Sequence, residues 1–209
     1  MKLDTFWDGP IQIYIYIVYS ADTKGWFYSF MSVFKRFGSV FRVLYRRVLS
    51  KINYDKYLQH LGVNFTKGTV HVYGHVDWQT EPWIITLGRN VYITDGVKFI
   101  THDGSTLIFR QYTPDLEITK PIVVGNDVFI GNNVIVLPGV TIGDNVVIGA
   151  GAVVSRDIPS NSLAVGVPAR RIKSVDEFYG KLKEQSLHLG HLKGKEKDRA
   201  LRAYYHYNK

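Results

Sequence analysis

One interval governs this chain. From Val124 onward a branched apolar residue returns at every sixth position, at Ile130, Val136, Ile142, Ile148 and Val154. Glycine follows it in most units, at Gly125, Gly131, Gly143 and Gly149. Four positions after each comes a second apolar residue, at Val128, Val134, Val140, Val146, Ala152 and Ile158. A short fixed period dictates architecture more firmly than local propensity does. Six residues is neither the roughly 3.6-residue repeat of a helical face nor the alternation of an isolated strand. A three-sided coil satisfies it, each hexad giving a short strand and a turn, with three hexads or about 18 residues to the coil. Residues one coil apart then stack at the usual strand spacing of about 4.8 Å. Glycine and asparagine are expected at the corners, where left-handed backbone is tolerated; Asn126, Asn132, Asn133 and Asn145 suit that place.

The same phase appears upstream at Leu87-Gly88, Ile93-Thr94-Asp95-Gly96-Val97 and Phe99, and more raggedly over 63–85. About four coils are expected. The segment 103–121 lacks the repeat and should loop out. The fold expected is therefore an all-β solenoid, a left-handed parallel β-helix over 61–173 with an extruded loop at 103–121. It is preceded by an N-terminal segment over 1–60 and followed by a C-terminal helix and basic tail over 174–209.

The chain has 209 residues, 45% of them hydrophobic and 21% charged, enough for one real core with modest appendages. It has no cysteine, which removes disulfides, thiolate metal sites and cysteine nucleophiles and fits a reducing compartment. No secretory signal and no run long enough to span a bilayer is read in it, and a cytoplasmic location is expected. The net charge of +8 is local: seven basic and no acidic residues lie between Lys24 and Lys51.

Within 26–48, Trp26, Phe30, Val33, Phe37, Val40, Phe41, Leu44 and Val48 recur at helical steps, with Lys35, Arg36, Arg42, Arg46 and Arg47 mostly on other faces. This predicts a basic amphipathic helix, suited either to the headgroup layer of a membrane or to covering the open end of the solenoid. The run over 11–19 is β-prone without an assignable place. Ser174 with Glu177 forms a capping-box pattern ahead of Phe178 and Leu182, so a helix should close the solenoid. The mixed-charge stretch from Lys193 to Lys209 is expected to be mobile.

Residues 122–172, IVVGNDVFIGNNVIVLPGVTIGDNVVIGAGAVVSRDIPSNSLAVGVPARRI, closely resemble the hexapeptide acyltransferases, which include galactoside, maltose and xenobiotic acetyltransferases. The likeness extends back to about Trp83. It is nearest to bacterial capsular and lipopolysaccharide O-acetyltransferases, whose extruded loop opens with a similar Thr101-His102-Asp103-Gly104. The two ends are not covered. The resemblance implies a homotrimer, with acetyl-CoA in the cleft between adjacent β-helices and a sugar or polysaccharide acceptor beside it. An uncharged solenoid face, taken to carry Val128, Val134 and Val146, would pack against its copies.

His102 matches the catalytic histidine of that family. A sugar hydroxyl is too weakly acidic to attack a thioester unaided and needs a base of near-neutral pKa within reach. Asp103 either orients the imidazole or caps the loop, and Asp95 or Asp77 from preceding coils are alternatives. In galactoside-type relatives the oxyanion donor is a backbone N–H at the corner matching Asn132. Phe129 stands where such relatives often have tryptophan beside the pantetheine arm. Ala150 and Gly151 would admit the pantetheine to the backbone. Arg156 and Arg170 match positions that approach the CoA phosphates, a task suited to guanidinium. Phe109, Tyr112, Arg110 and Asp115 in the loop fit sugar binding.

Other readings weigh less. Neither His71 with His75 nor His188 with His191 has a third histidine suitably placed, so no metal site is expected. The basic helix lacks any recognised nucleic-acid module. The rivals left standing are an acetyltransferase for an amino sugar or xenobiotic, and a non-catalytic β-helix scaffold at the membrane.

Overall fold

The computed structural model describes residues 49–50 and 53–207. The amphipathic helix expected over 26–48 and the β-prone run over 11–19 lie outside the described residues.

After the helical residues Leu49 and Ser50 comes a helix the periodicity did not reveal, α1 (Tyr54–Leu61). Asn53 caps it by accepting from Lys56 N at 3.0 Å, and Gly62 ends it at φ 84°. Leu58 is fully buried from this helix against the solenoid core.

Twelve strands then run in turn through three parallel sheets. The first coil is β1 (Val70–Val72), β2 (Val76–Asp77) and β3 (Ile85–Leu87), and the second is β4 (Val91–Ile93), β5 (Val97–Phe99) and β6 (Ile122–Val124). The third is β7 (Val128–Ile130), β8 (Ile135–Val136) and β9 (Thr141–Ile142), followed by β10 (Val146–Ile148), β11 (Val153–Val154) and β12 (Ser162–Val165). The sheets read β1-β4-β7-β10-β12, β2-β5-β8-β11 and β3-β6-β9, so every third strand returns to the same face up to β11; in the last coil the third side is only the bridge of Ile158 to Ile142, and β12 therefore follows β10. β13 (Arg170–Lys173) turns back antiparallel on β12 and occupies its free edge.

From β3 to β10 the three-residue strands bury their first and third residues and leave the middle one more exposed: Val128 and Ile130 are 0% exposed whereas Phe129 between them is 41% exposed. Both apolar rows of the repeat therefore point inward. Val128, Val134 and Val146 are core residues, all 0% exposed, and do not form an outer face. A residue two positions from an inward one lies on the same side of a strand, which the six-residue spacing alone obscured.

The glycines also differ in role from expectation. Gly125, Gly131 and Gly143 are absent from the positive-φ positions; left-handed backbone occurs instead at Asn90, Asp127, Asn133, Asn145 and Asn161, at φ 53–57°, and at the glycines Gly96, Gly139 and Gly151. Asn126 and Asn132 have ordinary backbone. What demands glycine is the next coil, since a Cβ on Gly131 would stand 2.6 Å from Ala150 N and one on Gly143 the same distance from Ser160 N. The corners are tied by side chains: Asn126 Oδ1 accepts from Arg89 N (2.9 Å), Asp144 Oδ1 from Asn126 N (2.6 Å) and Ser160 Oγ from Asp144 N (3.0 Å).

After β13, Ser174 accepts from Glu177 N at 3.1 Å while Glu177 accepts from Ser174 N at 2.8 Å, starting α2 (Val175–Glu184). Asn161 binds this helix to the last coil, donating to Asp176 (2.7 Å) and accepting from Val175 N (3.0 Å). Replacing Ser174 by alanine should lower the unfolding free energy by about 1 kcal/mol in denaturant titration. Where a mobile tail was expected there is a further helix, α3 (Gly194–Tyr204). None of the described helices is long and apolar enough to cross a membrane.

Candidate active site

The chain leaves the repeat after β5 and returns at β6. The neck of this excursion is a two-stranded antiparallel contact: Lys120 N donates to Thr101 O (2.8 Å), Asp103 N to Ile118 O (2.9 Å), and His102 faces Thr119. His102 is thus fixed where a stacked coil meets the base of the loop. Its ring lines a cleft of about 270 Å³ with Ile100, Asp103, Gly104, Leu137 and Pro138.

The imidazole has a partner that the sequence reading did not name. His102 Nδ1 lies 2.9 Å from Glu81 Oε2. Thr101 Oγ1 donates to the same oxygen at 2.6 Å, and Thr80 Oγ1 donates to Oε1 at 2.6 Å. These two hydroxyl bonds are the main reason the carboxyl is held down to about 2, against partial desolvation, with His102 adding a smaller contribution. Because the folded value lies below the ordinary one near 4.5, the stabilisation is fully present above that value and is lost as pH falls toward 2. Carbon-detected NMR of the Glu81 carboxyl should show its midpoint near the lower figure.

The carboxylates considered from sequence are committed elsewhere. Asp103 accepts from Ser105 N at 2.9 Å and caps the 3₁₀ turn Gly104–Phe109, bonds to Ser105 that also depress its pKa. Asp95 accepts from His75 N (2.6 Å), and Asp77 binds Gln79. Of the choices left open for Asp103, the geometry shows the cap. Glu81 had a signal nonetheless. β2 and β5 stack with Val76 opposite Val97, an offset of 21 residues, and the same offset from His102 lands on Glu81.

The other expected residues occupy a different edge. Phe129 lies on the outer face of its sheet between Tyr92 and Val147 in register. Asn132 follows at the next corner, where its carbonyl accepts from Gly151 N at 2.8 Å and Ala150 is exposed. The adjacent coil presents alanine there, which has no side-chain acceptor, so the Asn132 N–H bonds to no group among the described residues. Arg156 and Arg170 are exposed, with Arg170 donating to Ala169 O at 3.0 Å. None of these six lines the His102 cleft within one chain. In the loop, Phe109 and Tyr112 are exposed, but Arg110 is engaged by Glu117 and by Leu116 O rather than open to a sugar. No cluster of three or more metal-ligating side chains occurs among the described residues.

Residues 121–156 match the model for the bacterial transferase hexapeptide with six repeats. Over those residues the chain is similar to transferase hexapeptide repeats. The Staphylococcus aureus protein CapG is 48% identical over 107 residues, covering 51% of this chain and 62% of CapG. A candidate acetyltransferase of Staphylococcus haemolyticus is 38% identical over 114 residues, covering 46% of this chain and 59% of that protein. This chain thus spans about three fifths of the length of these relatives. Among solved structures, a maltose O-acetyltransferase from Clostridium difficile is 29% identical, with a TM-score of 0.47 over 62% of this chain and 84% of that one.

Proposed function

We propose that this chain transfers acetyl from acetyl-CoA to a sugar hydroxyl, in the assembly of a capsular or other surface polysaccharide, with His102 as general base. The observation that carries the reading is the hydrogen-bonded His102–Glu81 pair, whose histidine lines the cleft, on a solenoid whose residues 121–156 match the transferase hexapeptide. The acceptor oxygen attacks the thioester carbonyl carbon while its proton passes to the imidazole. Collapse of the tetrahedral intermediate breaks the C–S bond and the proton moves to the departing sulfur. The products are an acetyl ester and CoA thiol, and the histidine is returned to its neutral form.

The uncommitted Asn132 N–H suits the developing oxyanion, because a donor already free of other bonds need not reorganise. His102 and Asn132 lie on different edges of the solenoid, so a centre that uses both is built between copies. The reading is a homotrimer of left-handed β-helices. The His102 edge of one copy faces the edge of the next that carries Phe129, Asn132, Ala150 and Gly151. Phe129 offers apolar surface to the pantetheine arm without an indole N–H. Ala150 and Gly151 admit close backbone approach, and Arg156 and Arg170 pair with phosphate. Asp103, which lines the cleft with His102, is taken to face the acceptor. The basic amphipathic pattern over 26–48 suits contact with the inner face of a membrane that carries lipid-linked glycan, or else cover for the open end of the solenoid.

The test is thiol release from acetyl-CoA with a panel of neutral glycans, amino sugars and small xenobiotics. Turnover with hydroxyl acceptors supports the proposal. Turnover confined to amines would replace it with N-acetylation, and none with any acceptor would favour the scaffold.

A further inference from the structure

We propose that Glu81 is the positioning residue of this site: clamped by Thr80 and Thr101, its carboxylate fixes His102 as the tautomer with hydrogen on Nδ1 and the lone pair on Nε2. The inference rests on the reading of His102 as the base, and it specifies which nitrogen does the work.

The argument is one of hydrogen counting. An ionised carboxylate only accepts, and a hydroxyl has one hydrogen to give. Thr101 spends its hydrogen on Glu81 Oε2 and Thr80 spends its own on Oε1, each at 2.6 Å. Thr80 Oγ1 also stands 3.4 Å from His102 Nδ1, yet with its hydrogen already committed it cannot donate to the ring. Oε2 and Nδ1 are 2.9 Å apart. Two acceptors do not approach that closely without a hydrogen between them, so the ring nitrogen supplies it. In a neutral imidazole the remaining nitrogen then carries the lone pair.

The clamp is a product of coil stacking. Thr80 and Glu81 stand in the sequence 21 residues before Thr101 and His102, the offset that also pairs Val76 with Val97 and Asp77 with Lys98. Thr101 is fully buried, so its hydroxyl has no competing water, and buried Pro82 begins the 3₁₀ turn Pro82–Ile84 directly after Glu81. The carboxylate is therefore held by a buried hydroxyl on the next coil and by the turn that follows it, and the ring is oriented by stacked coil rather than by the loop. Asp103, next in sequence to the histidine, is turned to Ser105 N and cannot substitute. Glu81 touches neither acceptor nor thioester. It stays ionised throughout the cycle, and the proton taken from the hydroxyl resides on Nε2 until the sulfur receives it.

The experiment is nitrogen NMR of the full chain labelled with 15N-histidine. His102 is assigned among the seven histidines by the signals that vanish in His102→Gln. At neutral pH the wild type should show an unprotonated Nε2 and a protonated Nδ1. Glu81→Ala should mix the tautomers and lower kcat by on the order of 10- to 100-fold at unchanged KM. Glu81→Gln, whose amide oxygen still accepts from Nδ1, should recover part of both. A wild-type ring protonated on Nε2, or a tautomer indifferent to Glu81→Ala, would overturn the assignment. The NMR result is independent of turnover: the proposed tautomer in a chain that transfers no acetyl would refute the proposed function and leave the positioning intact.

Discussion

His102→Ala should lower the rate of acetyl transfer by about 10²- to 10⁴-fold at saturating acetyl-CoA, the range attributable to a positioned base. The loss should fall on kcat with little change in KM for acetyl-CoA, because the histidine meets the donor only as the bond to sulfur breaks. Folding should be spared. His102 is only partly buried, and its side chain bridges to Glu81 at the surface of the solenoid rather than filling its core. A circular dichroism melt that matches the wild type would separate loss of chemistry from loss of fold. Equal rates in the two proteins would remove His102 from the reaction.

The largest effect on stability is expected one strand earlier in the same coil. Phe99 is the largest fully buried side chain among the described residues, and its ring stacks on Trp78 with centroids 5.0 Å apart and planes 11° apart. Phe99→Ala removes this ring from a close-packed interior whose backbone cannot collapse, because β5 is hydrogen-bonded to β2 on one side and β8 on the other. A cost of about 3–5 kcal/mol in denaturant unfolding follows. Activity should suffer as well, since Phe99 lies three residues before His102 on the rung that aligns it with Glu81. A loss below about 1 kcal/mol would mean that the solenoid relaxes around the cavity, contrary to the account of a rigid coil.

The coils were legible because their cause is local. Each branched residue from Val124 to Val154 repeats the same contact with the coil above, so the stacking writes its period directly into the chain. The excursion was legible for the converse reason, since it lies where the phase breaks between Phe99 and Ile122. His102 stood out through its family motif and its place at that break. Glu81 did not, because it becomes a partner only through a coil length. That length is 21 residues between β2 and β5 and 18 between β8 and β11, so an assumed uniform repeat points elsewhere. Gly125, Gly131 and Gly143 were misread because steric exclusion by a neighbouring coil leaves the same mark in a sequence as a positive φ. Helices α1 and α3 were missed for a simpler reason: neither carries a repeat, and α3 buries no residue fully.

The central claim, that an acetyl ester is formed on a sugar hydroxyl, is met most directly by analysing the product itself. Glycan incubated with the enzyme and acetyl-CoA labelled in its acetyl group should gain the label, as seen by mass spectrometry, and lose it on mild alkaline treatment, which cleaves esters and spares amides. Label that survives alkali, or glycan that gains none while CoA thiol is released, would contradict the account.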